Sequence, residues 1–76
     1  MKRVSKLDKE IGKRLKEERQ RLGLSQTDLA KAIKVTFQQI QKYENGTNRI
    51  AAGNLYLLAK RLGTSIDVFF FNIETP

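Results

Sequence analysis

Residues 25–46 read SQTDLAKAIKVTFQQIQKYENG and hold two helix starts close together. Ser25 is a good N-cap, and Asp28 three residues on can return the hydrogen bond to the cap's own N–H. Thr36 with Gln39 repeats that signature. Two capped starts at this spacing predict two short helices, Gln26 to Ile33 and Phe37 to Asn45, separated by about three residues around Lys34 and Val35. Leu29, Ile33, Val35, Ile40 and Tyr43 fall where two steeply crossing helices share one buried seam, and Ala30 sits where the second must approach most closely. The outline is a helix-turn-helix. The opposite face of the second helix carries Phe37, Gln38, Gln41 and Lys42. Glutamine can pair bidentately with adenine, lysine can donate to guanine, and an apolar group can meet a thymine methyl, so these four are the candidate base-contacting residues.

Seventy-six residues allow one hydrophobic core and no second. The chain has no cysteine and no histidine, which excludes disulfides, thiolate or imidazole metal sites, a histidine base and a cysteine nucleophile. No glycine-rich phosphate loop is present. We therefore expect neither an enzyme nor a cofactor. A net charge of +7 favours a polyanionic partner but is weak by itself. No apolar run approaches the roughly 20 residues of a membrane span. The start MKRVSKLDK lacks the apolar core of a signal peptide, so a cytoplasmic location is expected.

Outward from the central stretch, residues 1–7 read as a flexible basic tail and residues 72–76 as a C-terminal tail, flanking one domain over 8–71. The tail is expected to be solvated, with an arm touching phosphates as the other reading. From about Asp8 to Leu22, Ile11, Leu15 and Leu22 recur at helical spacing, with Leu7 one turn earlier, and Gly23 ends the helix. Arg19 lies on the broad side of Leu15 and Leu22 and, if buried, needs a carboxylate. Gln26 sits at a positive helix start where a phosphate could dock. Asn45-Gly46-Thr47-Asn48 is loop chemistry, followed by Arg49. Leu55, Leu58, Ala59 and Leu62 form the apolar face of a helix over Ala52 to Leu62, which ends at Gly63 and starts at Ala51 without a side-chain cap. Ser65 caps a final short helix with Ile66, Phe69 and Phe70. Phe69, Phe70 and Phe71 point about 100° apart on a helix and cannot all face one core, so this C-terminal region is the expected homodimer contact.

The motif LSQTDLAKAIKVTFQQIQKYENG, with IGKRLKEERQRLG before it and LYLLAKRLGTSIDVFF after it, resembles the Cro/phage-repressor-like (XRE) helix-turn-helix family over about residues 8–71. The resemblance implies an all-α, lambda-repressor-like bundle of about five short helices. It also implies a transcriptional regulator, most often a repressor, that reads a double-stranded, pseudo-palindromic DNA operator with the helix at 37–45. The family most often has Gly in the turn where this chain has Lys34, and a left-handed backbone there would cost about 1 kcal/mol. By resemblance Arg19 pairs with Glu44 and sets the angle of the recognition helix. Gln26, Asn45, Thr47 and Arg49 are implied phosphate ligands, with Thr36 beside them. A protein-binding module on the same scaffold, such as an antitoxin or anti-repressor partner, is the alternative class, and an RNA-binding helper is another.

Overall fold

The computed structural model describes residues 4–73 of the chain. Four α-helices follow one another: α1 (Lys6–Arg21), α2 (Gln26–Ile33), α3 (Phe37–Glu44) and α4 (Ala52–Leu62), and a single 3₁₀ turn (Ile66–Phe69) closes the core. The architecture is all-helical, with no strand among the described residues. The count is four α-helices, not the expected five, because the last segment turns too tightly. Ser65 caps it by accepting from the Asp67 N–H at 3.2 Å, and the backbone stays 3₁₀.

The start of α1 also differs from expectation. Ser5 and Asp8 form a complete capping box, with Asp8 Oδ2 accepting from the Ser5 N–H at 2.9 Å and Ser5 Oγ accepting from the Asp8 N–H at 3.1 Å. The helix therefore begins at Lys6, inside the segment read as tail. Lys2 and Arg3, the rest of the expected basic arm, lie outside the described residues. At the other end Leu22 is 41% exposed. It sits at the C-cap, where the chain leaves the core, and Gly23 and Leu24 close the end by donating to the Gln20 and Arg19 carbonyls.

Ser25 and Asp28 form the second capping box. At Thr36 only half of the signature is built: its hydroxyl accepts from the Gln39 N–H at 3.2 Å, and no reciprocal bond from the Gln39 side chain is made. Lys34 ends α2 at φ 59°, ψ 46°, the left-handed conformation that costs a residue with a Cβ about 1 kcal/mol. The strain is held because this turn swings α3 across α2 and buries Leu29, Ala30, Ile33, Ile40 and Tyr43 together. Leu15, Leu29, Ile40, Leu58 and Phe69 are wholly buried and join all four helices and the 3₁₀ turn. Burial of each is worth roughly 1.5–3 kcal/mol.

α1 packs against α3 and the 3₁₀ turn, while α2 packs against α3 and α4. Gly12 sets the first of these contacts. A Cβ there would fall on the Tyr43 carbonyl, with the carbonyl carbon 3.1 Å away and the oxygen nearer still. Hydrogen is the only side chain that lets α1 lie against the last turn of α3.

Stability measurements on two backbone variants check these assignments. In a helix interior Gly→Ala ordinarily gains about 1 kcal/mol. Here Gly12→Ala should instead lose about 1–3 kcal/mol by overpacking against main chain that cannot yield. Lys34→Gly should gain about 0.5–1 kcal/mol. Denaturant melting that showed Gly12→Ala neutral would displace α1 from the end of α3.

Candidate nucleic-acid interface

With Ile40, Tyr43 and Glu44 turned inward, the helical period leaves Phe37, Gln38, Gln41 and Lys42 on the outside of α3, and all four are exposed. Phe37 is 44% exposed, a large apolar surface to leave in water. Thr36, at the N-cap, adds a hydroxyl beside them while its oxygen holds the start of the helix.

Glu44 belongs to the same helix and lies on its buried side, with a side chain only 3% exposed. Arg19 of α1 meets it as a fork, Nε donating to Oε2 at 2.6 Å and Nη2 to Oε1 at 3.0 Å. The remaining Arg19 nitrogen donates to the Leu24 carbonyl at 2.9 Å. Hydrogen bonding to Glu44 raises the guanidinium pKa above its usual value, against the opposing effect of burial, so the arginine stays charged. Gln26, in the first turn of α2, donates its amide to Glu44 Oε1 at 3.0 Å. One carboxylate thus ties together three helices. The sequence placed Gln26 on the outer face as a phosphate ligand, whereas here one amide hydrogen of this half-buried side chain is committed to Glu44.

The loop after α3 is built from local bonds. Gly46 at φ 77° reverses the chain, and the Thr47 N–H donates to the Lys42 carbonyl at 3.0 Å. Asn45 Oδ1 accepts from the Thr47 N–H at 3.2 Å and lies 2.8 Å from Thr47 Oγ1. Arg49 Nε donates to Asp8 Oδ2 at 3.0 Å, which joins the loop to the α1 cap. Burial opposes ionisation of Asp8, but hydrogen bonds from the Ser5 backbone and hydroxyl and the presence of Arg49 hold its carboxyl below the usual carboxylate value. Asn45, Thr47 and Arg49 are exposed, on the side of the domain where α3 ends.

Sequence reasoning passes over two further residues that shape this region. Gly12 places α1 against the end of α3, as described above. Arg14 Nη1 donates to the Val68 and Phe71 carbonyls and so holds the C-terminal segment. Among the described residues no group of three or more acidic, cysteine or histidine side chains could hold a metal ion.

Residues 15–69 match the model of a helix-turn-helix family. The chain belongs to that family. This helix-turn-helix chain is 48% identical over 71 residues to an uncharacterized transcriptional regulator in the ATPase CF(0) region of Rhodospirillum rubrum, covering 93% of this chain and 66% of the relative. It is 46% identical over 71 residues to an uncharacterized HTH-type transcriptional regulator of Rickettsia conorii, covering 93% of this chain and 57% of the relative. The chain thus spans less than two thirds of the length of these curated relatives. Among solved structures, the restriction-modification controller protein C.AhdI from Aeromonas hydrophila superposes with a TM-score of 0.77 at 29% identity, over 82% of this chain and 94% of the controller. The P22 c2 repressor, solved with a synthetic operator, superposes with a TM-score of 0.71 at 29% identity, over 78% of this chain and 89% of the repressor.

The weight carried by the buried pair can be measured by a mutant cycle. Glu44→Ala leaves the Arg19 charge unpaired and should cost about 3 kcal/mol or more. Arg19→Met combined with Glu44→Leu should recover most of that loss, because a buried ion pair is often worth no more than a packed apolar one. Strictly additive losses would mean that the two side chains do not support one another.

Proposed function

We propose that this chain is the sequence-reading domain of a transcriptional regulator that places α3 in the major groove of double-stranded DNA. The observation that carries this reading is the outward row Phe37, Gln38, Gln41 and Lys42 on a helix whose angle is set from behind by Arg19, Glu44 and Gln26. Hydrogen-bonding side chains can discriminate base edges only if their helix is held rigidly enough to keep them in register. Thr36, Asn45, Thr47, Arg49 and the remaining amide hydrogen of Gln26 flank the row and meet phosphates, which position the domain and carry no sequence information. Bound at a promoter, such a domain represses by excluding polymerase. Its place is the cytoplasm, on the nucleoid, and no helix among the described residues is long and apolar enough to cross a membrane.

The operator is two-fold symmetric in this proposal, and the domain binds it as a homodimer. Of the three consecutive phenylalanines, Phe69 must be withdrawn from the expected contact: it is wholly buried among Leu15 and Leu58 in the core. Phe70 at 44% and Phe71 at 70% exposure remain, and they are the apolar surface that a second copy would cover. Two copies present their α3 helices to half-sites about one helical turn, roughly 34–36 Å, apart.

Binding to a selected operator and to random duplex across a salt series separates reading from gripping. Gln38→Ala should cost about 1–3 kcal/mol on the operator and far less on random DNA. Arg49→Ala should weaken both and make log affinity against log salt shallower by about one unit per lost contact. Equal losses on both duplexes for Gln38→Ala would move base recognition off this face, and retardation of no duplex by the wild type would sink the function itself.

Sedimentation tests the dimer. Phe71→Asp should lower the apparent mass at micromolar concentration with the helical signal intact, whereas a wild type already monomeric when free would leave pairing to the operator.

A further inference from the structure

α1 uses its two kinds of basic residue differently. Its arginines are engaged within the fold: Arg14 with Glu10 and the C-terminal carbonyls, Arg19 with Glu44, and Arg21 with Glu18. These contacts use Glu10 and Glu18, while Asp8 is taken by Ser5 and Arg49. Lys9, Lys13 and Lys16 are exposed, and among the described residues none of them forms an ion pair.

The position of these lysines follows from two glycines. Gly46, in the middle of the proposed phosphate loop, lies so close to α1 that a Cβ on it would stand 3.1 Å from the Lys9 Cα. Gly12 faces the Tyr43 carbonyl at the end of α3. Residues 9, 12 and 16 are spaced i, i+3, i+7 and share one side of the helix. Lys9 and Lys16 therefore straddle the point where α3 ends and the loop begins, with Lys13 one step round from both. Glu17 is the acid beside them, and the row remains net positive. Lys9 and Lys16 are about 10 Å apart along the axis at about 1.5 Å per residue, the axial rise of about three phosphates at 3.4 Å each on one strand.

We propose that Lys9, Lys13 and Lys16 form a second phosphate-binding track that continues the loop 45–49 and grips duplex DNA flanking the segment read by α3. The proposal rests on the DNA-reading function above. These long, flexible ammonium side chains act as point charges on phosphates and select no base. The length of duplex engaged is then set by α1 as well as by the helix-turn-helix, and affinity should depend on DNA beyond the bases read.

The test uses the full chain with its selected operator, both as a minimal duplex and with about one helical turn of random flank at each end. Wild type should show a steeper dependence of log affinity on log salt with the flanked duplex than with the minimal one. The triple variant K9Q/K13Q/K16Q should lose most of that difference, by about one unit for each phosphate contact removed, while its preference for operator over random sequence is unchanged. The pair K60Q/R61Q, which removes charge from α4, should change the slope less per charge. If the triple variant loses helical signal, Lys13→Gln alone should still show a slope change of about one unit. An unchanged slope, or a loss per charge no larger than that from α4, would overturn the track while leaving base reading by α3 intact. Failure of the wild type to retard any duplex would overturn the underlying function as well.

Discussion

A carboxylate removed from water is the constraint on which the rest of this structure depends. Glu44 sits at the end of the helix that carries the outward row, and its side chain is almost wholly buried. An isolated charge in that position would be expensive, and it is tolerated only where it is paired and both its oxygens are hydrogen-bonded. Arg19 supplies two donors from α1 and Gln26 supplies one from α2. Because a planar fork accepts a carboxylate in few orientations, satisfying Glu44 fixes how α1, α2 and α3 cross. The apolar seam of Leu29, Ile33, Ile40 and Tyr43 supplies the larger stabilisation, but apolar contact is non-directional and would permit small rotations of α3. The polar triad removes that freedom.

The second constraint is steric and meets the first at the same place. α1 reaches Glu44 only because Gly12 lets its backbone lie against the Tyr43 carbonyl, and the loop beyond passes α1 only because Gly46 gives room to Lys9. Gly46 also needs its positive φ, so two independent requirements fall on one residue. The result is a crowded junction of helix, helix end and loop, with a buried ion pair inside and basic groups outside. The Asp8–Arg49 bond adds the α1 cap to this junction, so that the start of the domain and its loop are parts of one assembly.

The helix-turn-helix was legible because its signals are local. Ser25 with Asp28 and the apolar period through Ile40 and Tyr43 each depend on residues within a turn or two of one another, whereas the left-handed turn at Lys34 was implied by the family resemblance alone, since a lysine carries no local signal for it. Ser5 with Asp8 carries the same capping signature, yet the surrounding basic residues make that segment resemble a tail, and composition outweighs the cap. Gly12 was not legible: a glycine inside an amphipathic helix reads as a weakness until the approach of a distant backbone is known. The phenylalanine run divides the same way. Helical geometry excludes burying Phe69, Phe70 and Phe71 together, but which one enters the core depends on the 3₁₀ turn, which packs against the distant helices α1 and α4. Gln26 was correctly read as the start of α2, while its bond to Glu44 came from a partner eighteen residues away, beyond the reach of any local pattern.

The loop side chains bear on how the proposed DNA-binding surface could bind strongly and still release. Asn45 and Thr47 satisfy one another, and Arg49 leans on Asp8. In the proposed DNA complex, contacts from these groups to phosphate would exchange for bonds already made, which lowers the net gain of each; but the groups are already ordered, so little side-chain entropy would remain to be lost. The outward residues Gln38 and Lys42 make no side-chain hydrogen bond to another described residue and would lose more freedom in the proposed complex. That loss would be repaid only where the bases match, since a mismatched edge leaves a desolvated amide or ammonium without its partner. In the proposed complex, ordered loop groups on phosphates and freer groups on base edges would thus separate affinity from selectivity, with the first screened by salt and the second decided by complementarity.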